Sequence, residues 1–219
     1  MTLRWPALVV VVSILGAPAA KAPLAAGPTR EEALTALADA GDVDSRRRGA
    51  LALRETGLMA DLPRLVAALR DGDSLVRAFA ENAMWQVWSR SGDEDIDRLF
   101  AIGVEQMNAR RGEVAVETFT EIVRRRPEFA EGWNKRATVY YLLGEYQKSL
   151  ADCDEVMKRN PYHYGALSGY GMIYLRLSLP ARALDYFERA LKVNPNLMEL
   201  RETIEAIKNL LIEQRKEAT

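Results

Sequence analysis

Proline recurs at Pro127, Pro161 and Pro195, two steps of 34 residues, and the apolar pattern upstream of each proline recurs with it. Twelve residues before each proline stands a small side chain: Ala115, Ser149 or Ala183. Eight before stands Phe119, Cys153 or Phe187, and five before stands Ile122, Val156 or Ala190. Gly103, Ala137 and Gly171 lie twenty-four before, and Leu99, Trp133 and Leu167 twenty-eight before. Apolar positions three and four apart predict helices. Each 34-residue unit has room for two antiparallel helices of about 14 residues, roughly 21 Å long. The small pairs Gly103/Ala115, Ala137/Ser149 and Gly171/Ala183 mark where two helices can approach closely. Trp133 or Leu167, with Phe119 or Phe187, fill the space beside those crossings. On that frame Trp133 is a buried aromatic whose removal costs on the order of 3–5 kcal/mol. Each proline ends the second helix by forcing the preceding residue out of helical geometry. One such hairpin cannot bury its own apolar face, so the units must stack.

This unit resembles the tetratricopeptide repeat, over three copies from about 96 to 197. The second copy carries Trp133, Ala137, Tyr140, Gly144, Tyr146 and Pro161; the third carries Leu167, Tyr170, Gly171, Tyr174, Ala183, Phe187, Ala190 and Pro195. Three departures stand out. Gln106 replaces the usual tyrosine, Arg136 the usual leucine, and Gly112 comes two residues late. The resemblance implies an all-α fold, a right-handed α-α superhelix of antiparallel helix pairs, with the first helix of each pair lining a concave groove. The groove positions hold Phe100, Val104 and Met107, then Asn134, Thr138 and Tyr141, then Ser168, Met172 and Leu175. An apolar and neutral polar lining suits an extended or helical peptide. The C-terminal helix folding back is the competing occupant of part of it. Members that clamp a C-terminal carboxylate do so with cationic and amide side chains. The matching positions here are Phe100, Val104, Lys135, Gly165 and Gly169, of which only Lys135 is charged, so that clamp is not expected.

Residues 30–92 follow a different rule. Asp73, Ser74 and Arg77 repeat, 29 residues on, an earlier Asp44, Ser45 and Arg48. This stretch resembles short HEAT-like repeats, with helices over about 30–40, 45–56, 61–71 and 75–90. Asp44 or Ser45 and Asp73 or Ser74 are suitable N-caps. Arg48 and Arg77 are each expected to tie a turn to its neighbour. Trp85 and Trp88, three apart on one face, read as junction packing. The few residues of the Ser89–Asp95 hinge lead to the expectation of one continuous solenoid. At the other end, Leu197, Leu200, Ile204, Ile207 and Leu211 form one apolar stripe within residues 198–219, read as a capping helix on the last repeat. The stripe also suits pairing with a second chain.

The first residues read as an export signal. Arg4 precedes the apolar run Ala7–Leu15, and small residues follow, which sets a signal peptide at 1–19 and a leader at 20–29. The run is shorter than the roughly 20 residues a membrane-spanning helix needs. The expected destination is the periplasm.

Composition removes most chemistry. The net charge is -1, which gives no field for nucleic acid. One cysteine and one histidine exclude an internal disulfide and a Cys/His zinc site. Cys153 sits where the other copies place Phe119 and Phe187 and reads as a small buried hydrophobe. His163, in an inter-repeat turn, reads as a surface residue. Asp152, Asp154 and Glu155 point in different directions on a helix and form no metal cage. No catalytic residues, no cofactor, no metal and no small-molecule substrate are therefore expected. The expected function is protein or peptide binding by an exported adaptor or assembly factor. The alternative is a self-associating envelope protein that dimerises through the C-terminal helix.

Overall fold

Four of the first five helices start on short polar caps. Thr29 forms a capping box with Glu32, and Asp42, Asp73 and Asp93 each accept backbone N–H groups of the turn they open. The computed structural model describes residues 27–217, so the expected signal peptide, most of the leader and the last two residues lie outside it. Among the described residues there are eleven α-helices and no strand. They are α1 (Arg30–Leu37), α2 (Val43–Thr56), α3 (Leu62–Ala68), α4 (Ser74–Trp88), α5 (Glu94–Asn108), α6 (Gly112–Arg125), α7 (Ala130–Leu142), α8 (Tyr146–Arg159), α9 (Tyr164–Arg176), α10 (Pro180–Val193) and α11 (Met198–Glu217). The fold is an all-helical array of antiparallel pairs in which α5 to α11 each pack on the next.

The crossings occur where small residues were expected. Ser149 Oγ donates to the Ala137 carbonyl at 2.7 Å, so those two backbones touch through one hydroxyl. Ala115, Ala183, Phe119 and Phe187 are fully buried. A Cβ built on Gly103 would lie 2.8 Å from the Phe119 ring, and one on Gly171 only 2.3 Å from Phe187. The turn inside each hairpin uses one left-handed residue, and these too are 34 apart: Arg110 (φ 58), Gly144 (φ 78) and Ser178 (φ 59). The late Gly112 of the first copy is therefore not the turn residue. It opens α6 and admits Leu143 of the next hairpin.

The other two departures are also paired. Gln106 Oε1 accepts from Thr118 Oγ1 at 2.7 Å. Arg136 binds Asp152 through two 2.8 Å hydrogen bonds, so an ion pair replaces an apolar contact there. Asp154 faces Tyr170 and Glu155 faces Lys158 and Arg159, so the three acids do diverge. Trp133 differs from the expectation of a buried aromatic. It is half-buried between the guanidinium groups of Arg136 and Arg159, each 4.9 Å from its ring, and its Nε1 donates to the Pro127 carbonyl. Cation–π contacts at the surface take the place of burial, and its truncation is expected to cost less than a core aromatic.

In the N-terminal section, α2 packs on both α1 and α4. Asp42, not Asp44 or Ser45, caps α2, whereas Asp73 caps α4 as expected. The arginine tying the first turn is Arg46, not Arg48. Arg46 binds Asp71 at 2.8 Å and the Asp39 carbonyl at 3.0 Å, in parallel with Arg77 on the Asp71 and Gly72 carbonyls. Arg48 lies mostly in solvent, 3.5 Å from Asp42.

The junction is not a simple end-to-end continuation. The apolar core of α1–α4 is continued by Tyr164 and Leu167 of α9 and Ala190 of α10, with no residue of α5 or α6. Gly92, at φ 77, lets the chain reverse after α4. The whole section is thereby laid back along the repeats. The apolar stripe of α11 is occupied from within the chain: Ile204 and Ile207 are buried with Phe187 and Ala183 of α10, and Leu200 and Leu211 pack beside them. That is the capping arrangement.

Candidate functional site

The turns that join successive hairpins carry the docked section. The residues just before the first and third prolines, and His163 just after the second, face it in order. Arg126 Nη2 donates to the Ser91 carbonyl at 3.1 Å, and Asn194 Nδ2 donates to Glu81 at 3.0 Å. Between them, the ring of His163 stacks on Trp88, 4.4 Å between centroids and 16° from parallel. Tyr164 donates to Glu81, Asn196 Nδ2 to the Leu69 carbonyl at 2.8 Å, and Arg70 to the carbonyls of Lys192 and Val193. Trp85 and Trp88 therefore seal a junction, but with the turn before α9.

His163 is fully buried, contrary to its reading as a surface residue. Its Nδ1 accepts the Ala166 N–H at 3.0 Å and so caps α9, which leaves Nε2 as the protonated nitrogen. Nε2 lies 2.8 Å from Glu131 Oε2 and donates to it. Glu131, 1% exposed, also receives Asn134 Nδ2 at 3.1 Å and Lys135 Nζ at 3.1 Å. Burial opposes ionisation of Glu131, but the hydrogen bonds from His163 and Lys135 outweigh it and hold the carboxyl below its ordinary range. A sequence scan misses this cluster because His163 and Glu131 are 32 residues apart. The available signal was the aromatic pair on α4 together with Gly165 on the facing surface of α9.

Next to this cluster opens a hollow of about 280 Å³ between α7 and α9. It brings together Asn134, Thr138 and Tyr141 of the second hairpin and Ser168 and Met172 of the third, over a floor of Ala137, Cys153 and Ile173. A second hollow of about 510 Å³ shares Ser168 and Met172 and runs on to Met198, Leu200 and Thr203 of α11. The other four expected groove residues lie elsewhere. Phe100 is core, with its ring 5.4 Å from Phe129 and 6.0 Å from Phe119. Val104 and Met107 are half-buried against that same core. Leu175 packs with Phe187, Ile204 and Ile207, under the C-terminal helix. The first hairpin has no preceding repeat to hold its first helix away from its own apolar centre, and α11 takes the space over Leu175.

The floor is chemically inert. Burial first, then the charges of Asp152 and Asp154, push the Cys153 thiol up to about 12, so it carries no thiolate at neutral pH. Lys135, the one charge at the clamp positions, is spent on Glu131 and lies 6.0 Å from the Trp85 ring centroid.

Tetratricopeptide repeat descriptions match residues 100–163 and 164–197. A TPR repeat-containing protein of Rhizobium etli is 32% identical over 108 residues, 49% of this chain and 53% of the relative. The chain thus spans about half the length of that relative. Among solved structures, the Sgt2 TPR domain from Aspergillus fumigatus superposes with a TM-score of 0.54 at 19% identity, over 58% of this chain and 85% of that one. The first TPR domain of Spaghetti bound to an HSP90 peptide gives 0.52 at 21%, over 54% and 94%. At such identities the likeness is one of fold. Together with the 34-residue step of crossings and left-handed turns, these matches show that residues 100–197 are similar to tetratricopeptide repeats.

Proposed function

We propose that this chain is a non-enzymatic adaptor or assembly factor of the cell envelope, which holds a peptide segment of a partner protein in the hollow between α7 and α9. The observation that carries this reading is the convergence of Tyr141, Thr138, Ser168 and Met172 on one open, apolar-floored hollow. The peptide-bound Spaghetti domain supports it by likeness of fold. Met172 is exposed, with no packing role that its loss would undo. The double substitution Tyr141→Ala, Met172→Ala is expected to abolish partner capture while shifting stability by no more than about 1 kcal/mol. Capture from envelope extract, quantified beside a urea denaturation curve, checks this. Unchanged capture by the double variant contradicts the assignment.

The proposed location is the periplasm, supported by the order of Arg4, the apolar run and the small residues after it. A fusion of residues 1–29 to a reporter active only after export is expected to be active. The docked N-terminal section, HEAT-like in pattern, is proposed as the platform for a second partner.

A further inference from the structure

We propose that the hollow between α7 and α9 is an anchor pocket for one phenylalanine-sized apolar side chain of the bound segment, and that Cys153 and Gly169 set its depth. This deepens the groove reading above and rests on it. The neighbouring hairpins show which side chain fits. Moved back by one 34-residue step, the lining residues Asn134, Ala137, Cys153 and Ile173 become Phe100, Gly103, Phe119 and Val139. Moved forward, the last three become Gly171, Phe187 and Ile207. Both of those sets are closed core, built round a fully buried phenylalanine ring that lies against the glycine. In the second hairpin that ring is missing. Cys153 stands at its position, and the methyl group of Ala137 takes only part of the room. An open hollow of about 280 Å³ is left.

Gly169 deepens it from the other side. One step away on either hand stand Lys135 and Thr203, so the repeat does not demand glycine here. Packing does not demand it either: the one neighbouring side chain a Cβ would touch is Cys153, its Sγ at an ordinary 3.7 Å. Gly169 lies in the middle of α9, where glycine weakens a helix relative to alanine. A glycine that no turn and no crossing requires, on the wall of a hollow, leaves room for a ligand to approach. The mouth, in contrast, suits a peptide backbone of any charge. Tyr141 Oη accepts from Arg176 Nε at 3.1 Å and keeps its own proton for a main-chain carbonyl. Thr138 Oγ1 and Ser168 Oγ donate to the Asn134 and Tyr164 carbonyls at 2.9 Å and offer lone pairs to main-chain N–H groups. Discrimination therefore falls to the side chain that enters. The exposed, flexible thioether of Met172 adapts to cover it.

The test titrates N-acetyl-phenylalaninamide and N-acetyl-alaninamide into the full chain labelled with ¹³C-methyl methionine. The phenylalanine amide is expected to move the Met172 signal and to bind at least about tenfold more tightly than the alanine amide. Gly169→Leu fills the hollow from α9. Cys153→Phe with Ala137→Gly fills it from α8, using the pair found in the first and third hairpins. Each is expected to abolish the Met172 response. Gly169→Ala is expected to raise the melting temperature and still weaken the phenylalanine amide, a combination that a glycine of purely structural use would not give. Equal affinity for the two amides, or a full response in both filled variants, overturns the inference. Capture from envelope extract then separates it from the groove reading. Capture lost in Tyr141→Ala, Met172→Ala but kept in Gly169→Leu removes the anchor pocket and leaves the groove standing. Capture kept in both removes the groove as well.

Discussion

Replacing His163 with alanine is expected to cost about 3–5 kcal/mol of folding stability, the range for breaking one partner out of a buried ionic cluster. Three losses coincide. Glu131, 1% exposed, keeps only Lys135 and Asn134. The Ala166 N–H at the start of α9 loses its acceptor. Trp88, stacked 4.4 Å from the imidazole, gains an empty face. Glu131→Gln is the informative control. It keeps an oxygen for the Nε2–H of His163 and removes the charge, so its cost should be smaller. It should also change the acid limb of stability. The carboxyl of Glu131 is held below its ordinary 4.5, so its contribution is present above that pH and is lost as pH falls through its lower folded value. In Glu131→Gln that part of the acid limb should be missing. Urea denaturation followed by tryptophan fluorescence between about pH 3 and pH 7 measures both effects. A His163→Ala protein as stable as the parent would mean that the N-terminal section is not docked on this turn.

The second large effect is expected at the crossing of α9 and α10. Gly171→Ala places a methyl group 2.3 Å from the ring of Phe187, which is fully buried and has nowhere to move. Overpacking of this kind costs about 1–3 kcal/mol, occasionally more. Phe187→Ala alone should cost about 3–5 kcal/mol through the cavity it leaves. On the Phe187→Ala background the added methyl meets no ring, so Gly171→Ala should then cost far less. The double-mutant cycle should therefore show coupling well above the few tenths expected of independent sites. Additive costs would place Gly171 and Phe187 apart and contradict the helix frame.

The repeat frame was legible because it rests on residues that act locally and recur. Prolines ended helices, small residues marked crossings, and both kept the 34-residue step. Cys153 could be read as a buried small hydrophobe for the same reason. The turn residue was not legible. Arg110 and Ser178 adopt the left-handed conformation without being glycine, so composition pointed to Gly112 instead. The docking of the N-terminal section was hidden because it joins residues far apart in the chain. Glu81 meets Asn194 across 113 residues, and Trp88 meets His163 across 75. No local pattern encodes such a pairing, and His163 therefore read as a surface turn residue.

Of the nine groove positions that the family resemblance implies, five line the hollows. The other four lie elsewhere for separate reasons. Phe100, Val104 and Met107 belong to the first hairpin, where no earlier repeat stacks and the side chains close over their own core. Leu175 was lost to α11, whose stripe is satisfied by Phe187 and Ala183.

The methionines offer the most direct test of where a peptide binds. With ¹³C-methyl methionine, Met172 and Met198 report on the two hollows, Met84 on the buried core of α4, and Met59 on the surface after α2. On titration with a peptide segment of the captured partner, the methyl signals of Met172 and Met198 should move together and saturate at one concentration, while those of Met84 and Met59 stay in place. Movement of Met59 with a static Met172 would contradict the account.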